Sequence, residues 1–539
     1  MQRKVFDIVT PERIKIQNSF LIKMKKIAIL SNINLDPLKG FLQRDTYEYF
    51  FAGYNQWLPE LLNPSSELHT FCPDFVFIYL NAEELKSDIS ELFSSIDAFS
   101  EKHASVRFIV SNLAYPPYSV DTYINSNVSN NEINDQLYRY VSTKNHADVF
   151  DFNRLISLHG YKTIFDEKYW YLGRIKFSNQ GFRIIAGEIA NVLNCLQGKT
   201  KKVLVLDFDN TLWGGVVGED GWSNLQLSEE GVGLVYADFQ RAIKRLSQYG
   251  VILASCSKNN EADAREVFEK NTNTILKWED FILHKVNWEQ KTENMLQIAS
   301  SLNVGLDSLV FIDDNPVERE LVKQTLPEVT VVDFPKDTSE LNRWFINEVV
   351  YPYFAKRNVT REDLDKSNQY KRNIVREDAR SRLSYDDFIR QLNYKLSVIP
   401  VDNNLYQRAA QLSQKTNQFN VTGNRYTDLD IRTMSESGNY NMYVCEYEDK
   451  FGKEGIIGAV ILRPTDGKAV IDLYVLSCRV LGRKVEFHLL EQLTERLKKA
   501  EIKTLETTYV ETSRNGMAKT FLLEAGFTTT NDVLFTKEI

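Results

Sequence analysis

The sequence has little of what marks several large classes of protein. Its 539 residues contain only five cysteines, widely spaced and without a CxxC pair, which argues against a disulfide framework or a zinc ribbon. The 65 basic and 73 acidic residues give a formal net charge of −8, whereas nucleic-acid-binding domains are usually basic. Apolar runs such as "FVFIYL" are far shorter than the roughly 20 residues of a membrane span. We therefore expect a soluble, cytoplasmic protein without nucleic-acid partners or membrane insertion.

The N-terminus also lacks a targeting signal. The stretch "MQRKVFDIVTPERIKIQ" carries charges throughout and has no apolar centre, so we expect no secretory signal peptide there.

The length predicts about three domains. Strands such as "KKIAILSNIN" and "VRFIVSNL" alternate with helical stretches and predict a parallel α/β unit over 1–198. A second such alternation predicts an α/β domain over 199–345. We interpret residues 346–385 as a charged linker with helical pieces, and residues 386–539 as a mixed α+β sheet domain. The asparagine-rich stretch 125–135 is typical of a loop.

Two aspartates directly follow the apolar run "VLVL". Asp207 and Asp209 stand at i and i+2, so in an extended segment their side chains share one side. Two carboxylates 4 Å apart repel by about 4 kcal/mol at an effective dielectric constant near 20. A divalent cation with oxygen ligands removes that repulsion. Trp213, which follows closely, is either a core residue or a wall of the substrate site.

Three further groups follow strands or begin helices. They are Ser257 with Lys258 in "SKN", Lys291 at the start of a predicted helix, and the pair Asp313 and Asp314 in "FIDDNP". A lysine at a helix N-terminus opposes the helix dipole, which indicates a role beyond helix stability. Ligands of open α/β sheets bind at the carboxyl ends of the strands. Each aspartate pair alone could be turn chemistry, but the four groups in this order favour a site.

In this order, "DFDNT", "SKN", Lys291 and "DD" resemble the haloacid dehalogenase-like phosphatases and phosphotransferases. The resemblance implies that Asp207 attacks phosphorus to form an aspartyl-phosphate, and that Asp209 protonates the leaving oxygen and later activates water. Ser257 and Lys291 would hold the phosphoryl oxygens.

The same resemblance implies Mg²⁺ as the cofactor. Asp207, the main-chain carbonyl of Asp209 and Asp313 would bind the ion, with Asp314 close behind. A phosphorylated small molecule would be the substrate, and its contacts would include Thr211, Lys258 and Asn259.

Longer stretches resemble the FkbH-like proteins, assigned to subfamily IIIC of the haloacid dehalogenase-like superfamily. They are "DNTLWGGVVGEDG", "NWEQK", "FIDDNPVERE", "QLSQKTNQFNVTGNRY" and "YVLSCRVLGRKVEFHLL". The resemblance implies removal of phosphate from a phosphorylated three-carbon acid such as 1,3-bisphosphoglycerate. The acyl group would then be loaded onto the phosphopantetheine arm of an acyl carrier protein.

Two alternatives stay open. One is a phosphatase with an acyltransferase domain that acts on a sugar or acyl phosphate in surface polysaccharide biosynthesis. The other is a non-catalytic assembly scaffold, against which the intact set of Asp207, Asp209, Lys291 and Asp313 argues.

The C-terminal unit resembles the GNAT-like acyltransferases. "RVLGRK" is similar to their R-x-x-G-x-G/A turn, with Lys484 where a small residue is usual. The resemblance implies that the turn around Gly482 binds pyrophosphate through backbone N–H groups at a helix N-terminus. Lys484 argues against standard acetyl-CoA binding and leaves room for a phosphopantetheine arm, with Arg479, Arg483 and Lys484 supplying positive charge. Cys478 is our candidate to hold an acyl thioester; the alternative is a buried structural cysteine.

The stretch "KTNQFNVTGNRY" is rich in amides and hydroxyls. Its side chains either line an acyl or phosphate pocket or cap a helix end. The candidate pocket residues are Thr416, Asn417, Gln418 and Asn420.

The N-terminal unit resembles the SGNH hydrolases, with Ser31 after the first strand and Asn112 at the end of a later one. "LSN" replaces the expected GDS, and Tyr169 stands where the closing Asp-x-x-His would place histidine after Asp166. We expect a degenerate domain rather than an active esterase. The predicted fold class is thus α/β and multidomain: an SGNH-like parallel unit, a Rossmann-like phosphatase domain and a GNAT-like α+β domain.

Overall fold

The computed structural model describes residues 24–85, 89–114, 128–512 and 514–539, without the side chains of residues 128–131 and 361. The N-terminal stretch in which we expect no signal peptide lies outside these residues. The chain divides into two compact units, Met1–Val192 and Leu193–Ile539. Within the described ranges, no helix is both long and apolar enough to cross a membrane.

The first unit contains a parallel five-stranded sheet in the order β2-β1-β3-β4-β5. Its strands are β1 Lys25–Ser31, β2 Tyr47–Phe51, β3 Phe75–Tyr79, β4 Arg107–Ser111 and β5 Ala147–Phe150. The helices are Trp57–Leu62, Glu67–Phe71, Ile89–Lys102, Val128–Thr143, Phe152–His159, Tyr161–Ile164, Glu167–Gly173 and Asn179–Leu196, the last of which extends past Val192. The predicted parallel α/β architecture of this unit is confirmed.

The prediction of a loop over 125–135 is wrong for its described part, because a helix begins at Val128. Leu137 is buried, and Ile133, Tyr140 and Val141 pack against the same core. These apolar residues recur at helical spacing, so packing of the stripe outweighs the low helix propensity of the asparagines.

The second unit begins with another parallel five-stranded sheet, in the order β10-β9-β6-β7-β8. The strands are β6 Val203–Leu206, β7 Ile252–Ser257, β8 Phe281–Val286, β9 Leu309–Ile312 and β10 Thr330–Val331. The helices are Val217–Asp220, Gly231–Gln248, Glu261–Lys270, Lys291–Ser301, Pro316–Thr325 and Leu341–Trp344. Every residue of the central strand β6 is buried, as expected when helices cover both faces of a parallel sheet.

A mixed seven-stranded sheet follows, in the order β11-β12-β13-β14-β15-β17-β16. The strands are β11 Lys395–Pro400, β12 Asn441–Asp449, β13 Gly452–Thr465, β14 Lys468–Leu476, β15 Thr504–Thr508, β16 Thr528–Thr529 and β17 Leu534–Glu538. The helices are Tyr385–Leu392, Tyr406–Lys415, Asp428–Glu436, Val485–Lys499 and Gly516–Glu524. Only β14 and β15 pair in parallel within this otherwise antiparallel sheet, which is the predicted α+β pattern.

The segment between the two sheets of the second unit is largely helical. It contains a wide helical segment, Phe345–Phe354, and the helices Arg361–Leu364 and Lys366–Ser381. Tyr370 packs into the core of the first of these sheets. Arg376, which is fully buried, pairs with Asp449 at 2.8 Å and Glu454 at 2.5 Å on the second. This stretch, interpreted from the sequence as a linker, is therefore a packed part of the unit.

Candidate active site

Three carboxylates meet at the carboxyl edge of the parallel sheet in the second unit. Asp207 follows β6, and Asp313 with Asp314 follows the adjacent strand β9. The Asp207 N–H donates to the Ile312 carbonyl at 3.1 Å, which ties the two strand ends together. The three side chains each offer an oxygen, and these oxygens lie within 4.8 Å of one another. Such a set of hard oxygen donors fits Mg²⁺.

Lys291 neutralises part of this charge. It is the first residue of the helix Lys291–Ser301, and its buried Nζ lies 2.9 Å from Asp207 Oδ2 and 2.5 Å from Asp313 Oδ2. Burial opposes the charge of the ammonium, but the two carboxylates outweigh it and raise the pKa of Lys291. These two contacts account for a lysine at a helix end where the dipole disfavours it.

The carboxylates still exceed the available positive charge. Burial, and then repulsion from Asp207, raise the pKa of Asp313 to about 7. The same two causes raise the pKa of Asp314. A divalent cation bound here would relieve that repulsion, so the electrostatics of the cluster agree with its donor set.

The Asp209 carboxylate lies apart from this cluster and has its own donors. Its Oδ1 accepts hydrogen bonds from Trp213 Nε1 at 2.9 Å and from the Val217 N–H at 3.1 Å. Asn259 Nδ2 donates to Oδ2 at 2.9 Å. Burial raises the pKa of Asp209 despite these bonds. A carboxyl that holds its proton more readily than usual suits general acid catalysis.

Trp213 takes the first of the two roles that the sequence left open, a core residue rather than a wall of the substrate site. It is fully buried and contacts the rings of Phe208 and Phe268, so it is a core residue. Its indole N–H nevertheless orients Asp209. Sequence reasoning missed this bond, although a buried indole N–H needs an acceptor and an aspartate lies four residues earlier.

The residues predicted to contact substrate have different partners within the protein. Ser257, buried at the end of β7, accepts a hydrogen bond from Asn259 Nδ2 at 3.2 Å. Thr211 Oγ1 accepts from the Asp314 N–H at 3.2 Å, so it positions a carboxylate of the cluster. The Lys258 ammonium pairs with Glu318 at 2.6 Å and is thus held by the protein itself.

Arg319 supports the loop that carries the second carboxylate pair. Its Nη1 donates to the main-chain carbonyls of Asp313 at 2.7 Å and Asp314 at 2.6 Å. In the sequence, Arg319 is recognisable only as a basic residue one turn into the helix that follows the aspartates.

The arginines predicted to supply positive charge for a phosphopantetheine arm are engaged within the protein. Arg479 donates to Gln369 Oε1 at 2.7 Å, and Arg483 donates to Asn373 Oδ1 at 2.6 Å. Both acceptors belong to the helix Lys366–Ser381, which also places Arg380 close to Gly482. The prediction of free guanidinium groups at this turn therefore needs correction, because the supposed linker covers it.

Cys478 also differs from its predicted setting. It begins a short turn, Cys478–Val480, and the helix that follows starts only at Val485. Its carbonyl accepts a hydrogen bond from Asn303 Nδ2 at 2.6 Å. Cys478 lines a partly open cavity that it shares with Thr416.

The other amides of the predicted pocket stretch lie elsewhere. Asn417 Oδ1 accepts from Arg425 at 2.7 Å, and the buried Asn420 Nδ2 donates to the Asn424 carbonyl at 3.1 Å. Gln418 is partly exposed. Of the four predicted pocket residues, only Thr416 lines the described cavity beside Cys478.

The cavity and the carboxylate cluster lie at opposite edges of one sheet. Lys202, directly before β6, and Asn303, before β9, both line the cavity at the amino ends of these strands. Asp207 follows the carboxyl end of β6. Five residues of extended chain separate Lys202 from Asp207, which corresponds to roughly 16 Å.

In the first unit, polar groups at the strand ends are bound internally. Ser31 is buried, and its Oγ accepts a hydrogen bond from the Ile33 N–H at 3.1 Å. Asn112 Nδ2 donates to Asp151 Oδ1 at 2.8 Å. The degenerate SGNH-like character of this unit stays a prediction.

Comparison with solved structures finds a similar phosphatase domain. The chain is similar to the N-terminal part of a Bacteroides fragilis protein. The crystal structure of that part contains a phosphatase domain complexed with Mg. The two share 29% sequence identity with a TM-score of 0.56, over 63% of this chain and 96% of that one. The chain resembles a magnesium-bound phosphatase domain.

Acetyltransferases also match over a smaller part of the chain. The ribosomal-protein-S18-alanine N-acetyltransferase of Escherichia coli is 15% identical over 27% of this chain and 94% of that one, with a TM-score of 0.21. An IAA acetyltransferase of Bacillus cereus is 12% identical over 27% of this chain and 100% of that one, with a TM-score of 0.20. These likenesses are too weak to carry an argument about activity. No protein-family model and no curated protein matches the chain.

Proposed function

We propose that this chain is a Mg²⁺-dependent phosphatase of the haloacid dehalogenase type. The observation that carries the proposal is the contact of one buried ammonium, Lys291, with both Asp207 and Asp313. Asp207, Asp313 and Asp314 would hold Mg²⁺, which neutralises charge on the phosphoryl oxygens.

The reaction proceeds in two steps on Asp207. Its carboxylate attacks phosphorus, and the bond from phosphorus to the leaving oxygen breaks while Asp209 gives its proton to that oxygen. Asp209 then takes a proton from water, whose oxygen attacks phosphorus and frees both phosphate and Asp207. Lys291 and Ser257 hold the phosphoryl oxygens in both steps.

We further propose that the substrate is a phosphorylated three-carbon acid such as 1,3-bisphosphoglycerate and that the acyl group passes to an acyl carrier protein. The sequence resemblance to FkbH-like proteins supports this assignment, as does the presence of a thiol, Cys478, in the wall of a cavity. Because Cys478 and Asp207 lie at opposite edges of one sheet, dephosphorylation and acyl transfer would use separate sites. Free cysteines favour a cytoplasmic location for this reaction.

The phosphatase step is tested by phosphate release. The protein is incubated with Mg²⁺ and acyl or sugar phosphates, and Asp207→Asn is compared with Asp337→Asn, which alters an exposed carboxylate of the same unit. We expect release that needs Mg²⁺ and is lost only in Asp207→Asn. Equal release by both variants would refute the role of Asp207.

The loading step is tested by intact mass. Protein, Mg²⁺, 1,3-bisphosphoglycerate and a panel of holo carrier proteins are incubated together. An acyl adduct on the enzyme that Cys478→Ser abolishes, followed by transfer to a carrier, is the expected result. Phosphate release without any protein adduct would contradict loading from this donor and leave the phosphatase assignment standing.

A further inference from the structure

A cavity lies within the second unit, beyond the amino ends of β6 and β9. We name it the junction cavity, because both sheets of the unit contribute to its wall. Its lining includes five cationic side chains, Lys202, Lys366, Arg408, Lys415 and Arg479, and two acidic ones, Glu362 and Asp363. The cavity therefore carries an excess of positive charge inside the protein.

Asp363 interacts electrostatically with the cavity's lysines, since Lys415, Lys356 and Lys366 together lower its pKa against the effect of burial, but its hydrogen bonds go to other groups. Asp363 accepts hydrogen bonds from Lys356 Nζ at 2.9 Å and from Gln411 Nε2 at 2.8 Å. Lys356 stands outside the lining and also donates to the Tyr249 carbonyl at 2.6 Å. Thr360 also donates to Asp363 through its N–H at 3.2 Å and its Oγ1 at 3.1 Å, so this carboxylate is shared among three other residues.

Three of the five cations have protein partners. Lys202 Nζ donates to the Lys415 carbonyl at 3.1 Å, and Arg479 pairs with Glu454 at 3.3 Å. Arg408 donates to the Ile456 carbonyl at 2.7 Å and to Gln411, but its buried Nε has no partner in the part of the chain that the structure describes.

Lys366 and Lys415 differ from these three cations in their partners. Among the described residues, neither ammonium has a carboxylate within 4.0 Å or a hydrogen-bond acceptor within 3.5 Å. Both side chains are only partly accessible, so bulk water cannot solvate them fully. Charge that is neither paired nor fully solvated is costly in a folded protein.

We infer that the junction cavity is a binding site for a small phosphorylated or carboxylated anion, held by Lys366 and Lys415 beside the thiol of Cys478. The anion would supply counter-charge in addition to Asp363 and Glu362, which the five cations of the lining outnumber. The hydroxyls of Thr416 and Ser477, which also line the cavity, complete a set of hydrogen-bond donors suited to phosphate or carboxylate oxygens.

The electrostatics of the lysines agree with this geometry. Burial, followed by repulsion from Lys356, lowers the pKa of Lys415 to about 8, with Lys202 and Arg408 adding to the effect and Asp363 opposing it. Burial and the neighbouring lysines likewise lower the pKa of Lys366 well below its usual range. A bound anion would reverse both shifts.

The site is distinct from the carboxylate cluster and does not depend on the reaction there. An anion at Asp207 would meet Lys291 at the opposite edge of the sheet, roughly 16 Å of extended chain away. Binding at the junction cavity can therefore be measured with Mg²⁺ removed by EDTA and with Asp207→Asn in place.

The test uses Cys478 as a local reporter. The full chain is treated with iodoacetamide in EDTA, with inorganic phosphate, 2-phosphoglycolate or chloride at equal ionic strength, and alkylation is followed by peptide mass. At about ten times its dissociation constant, a bound anion slows Cys478 alkylation about tenfold, because only unoccupied protein reacts. Cys72, which is exposed in the first unit, provides the internal control and keeps its rate.

Matched lysine variants assign the effect. Lys366→Met and Lys415→Met should lose the protection, whereas Lys499→Met, which alters an exposed lysine of the same unit, and Lys366→Arg should keep it. Cys478 alkylation that neither phosphate nor phosphoglycolate changes would overturn the proposal, as would full protection in both methionine variants.

Discussion

Replacing Lys291 by methionine removes the ammonium that separates Asp207 from Asp313. The native Nζ lies 2.9 Å from one carboxylate and 2.5 Å from the other, and all three side chains are buried. Loss of one partner from a buried ion pair costs about 3–5 kcal/mol, because the remaining charges stay desolvated. We expect a loss of that size in the unfolding free energy of the second unit.

The corresponding thermal shift follows from the size of the unit. About 350 residues, each with an unfolding entropy of about 2.1 cal/mol/K, give a total near 0.7 kcal/mol/K, so the midpoint should fall by about 4–7 °C. Mg²⁺ should restore part of this loss, since it neutralises the same carboxylates.

The assay is thermal or urea unfolding in EDTA and in Mg²⁺, with Lys258→Met as the matched control. Lys258 pairs with Glu318 near the surface, and such pairs contribute at most about 1 kcal/mol. If Lys291→Met unfolds in EDTA at the native midpoint, or Mg²⁺ stabilises it no more than it stabilises Lys258→Met, the electrostatic account of the cluster is wrong.

Three further changes test neighbouring parts of the unit. Asp209→Asn should slow hydrolysis of an alkyl phosphate about 10²–10⁴-fold but that of p-nitrophenyl phosphate much less, because only the poorer leaving group needs a proton; equal losses in initial-rate assays would contradict this. Trp213→Phe should keep the fold by circular dichroism while lowering kcat about tenfold, since one donor to Asp209 is lost; an unchanged pH–rate profile would count against it. The depressed pKa of Lys415, about 8, means that the unfolded chain binds more protons between pH 8 and 10.5, so stability should rise with pH across that window. Lys415→Met should lack this rise in urea midpoints, and a rise of native size would show that another group is responsible.

The carboxylate cluster could be predicted because its parts obey sheet topology. Asp207 and Asp313 each follow an apolar strand, and parallel neighbouring strands bring their carboxyl ends together. Lys291 was recognisable from a local conflict, a lysine where the helix dipole disfavours it. In each case the signal lay within a few residues of the functional group.

The rest depends on contacts between distant parts of the chain. Arg479 and Arg483 look like free phosphate ligands in the sequence, but their partners Gln369 and Asn373 lie 110 residues away. Hydrophobic periodicity does not show which helix covers a turn, because it records which face is buried and not what covers it. The charged composition of residues 346–385 likewise predicts a linker, because composition does not show which distant part of the chain a helix contacts.

The helix that carries Arg376 contacts both sheets of the second unit. This guanidinium, buried against Asp449 and Glu454, lies on the same helix as Tyr370, which fills the core of the other sheet. If the chain is cut after that helix, the half with the second sheet loses Arg376 and keeps a buried carboxylate pair without its counter-charge. If it is cut before the helix, the half with the first sheet loses Tyr370 and keeps an open apolar groove. We therefore expect the two sheets of the second unit to unfold together, and each half of a chain cut there to be less stable than the intact unit.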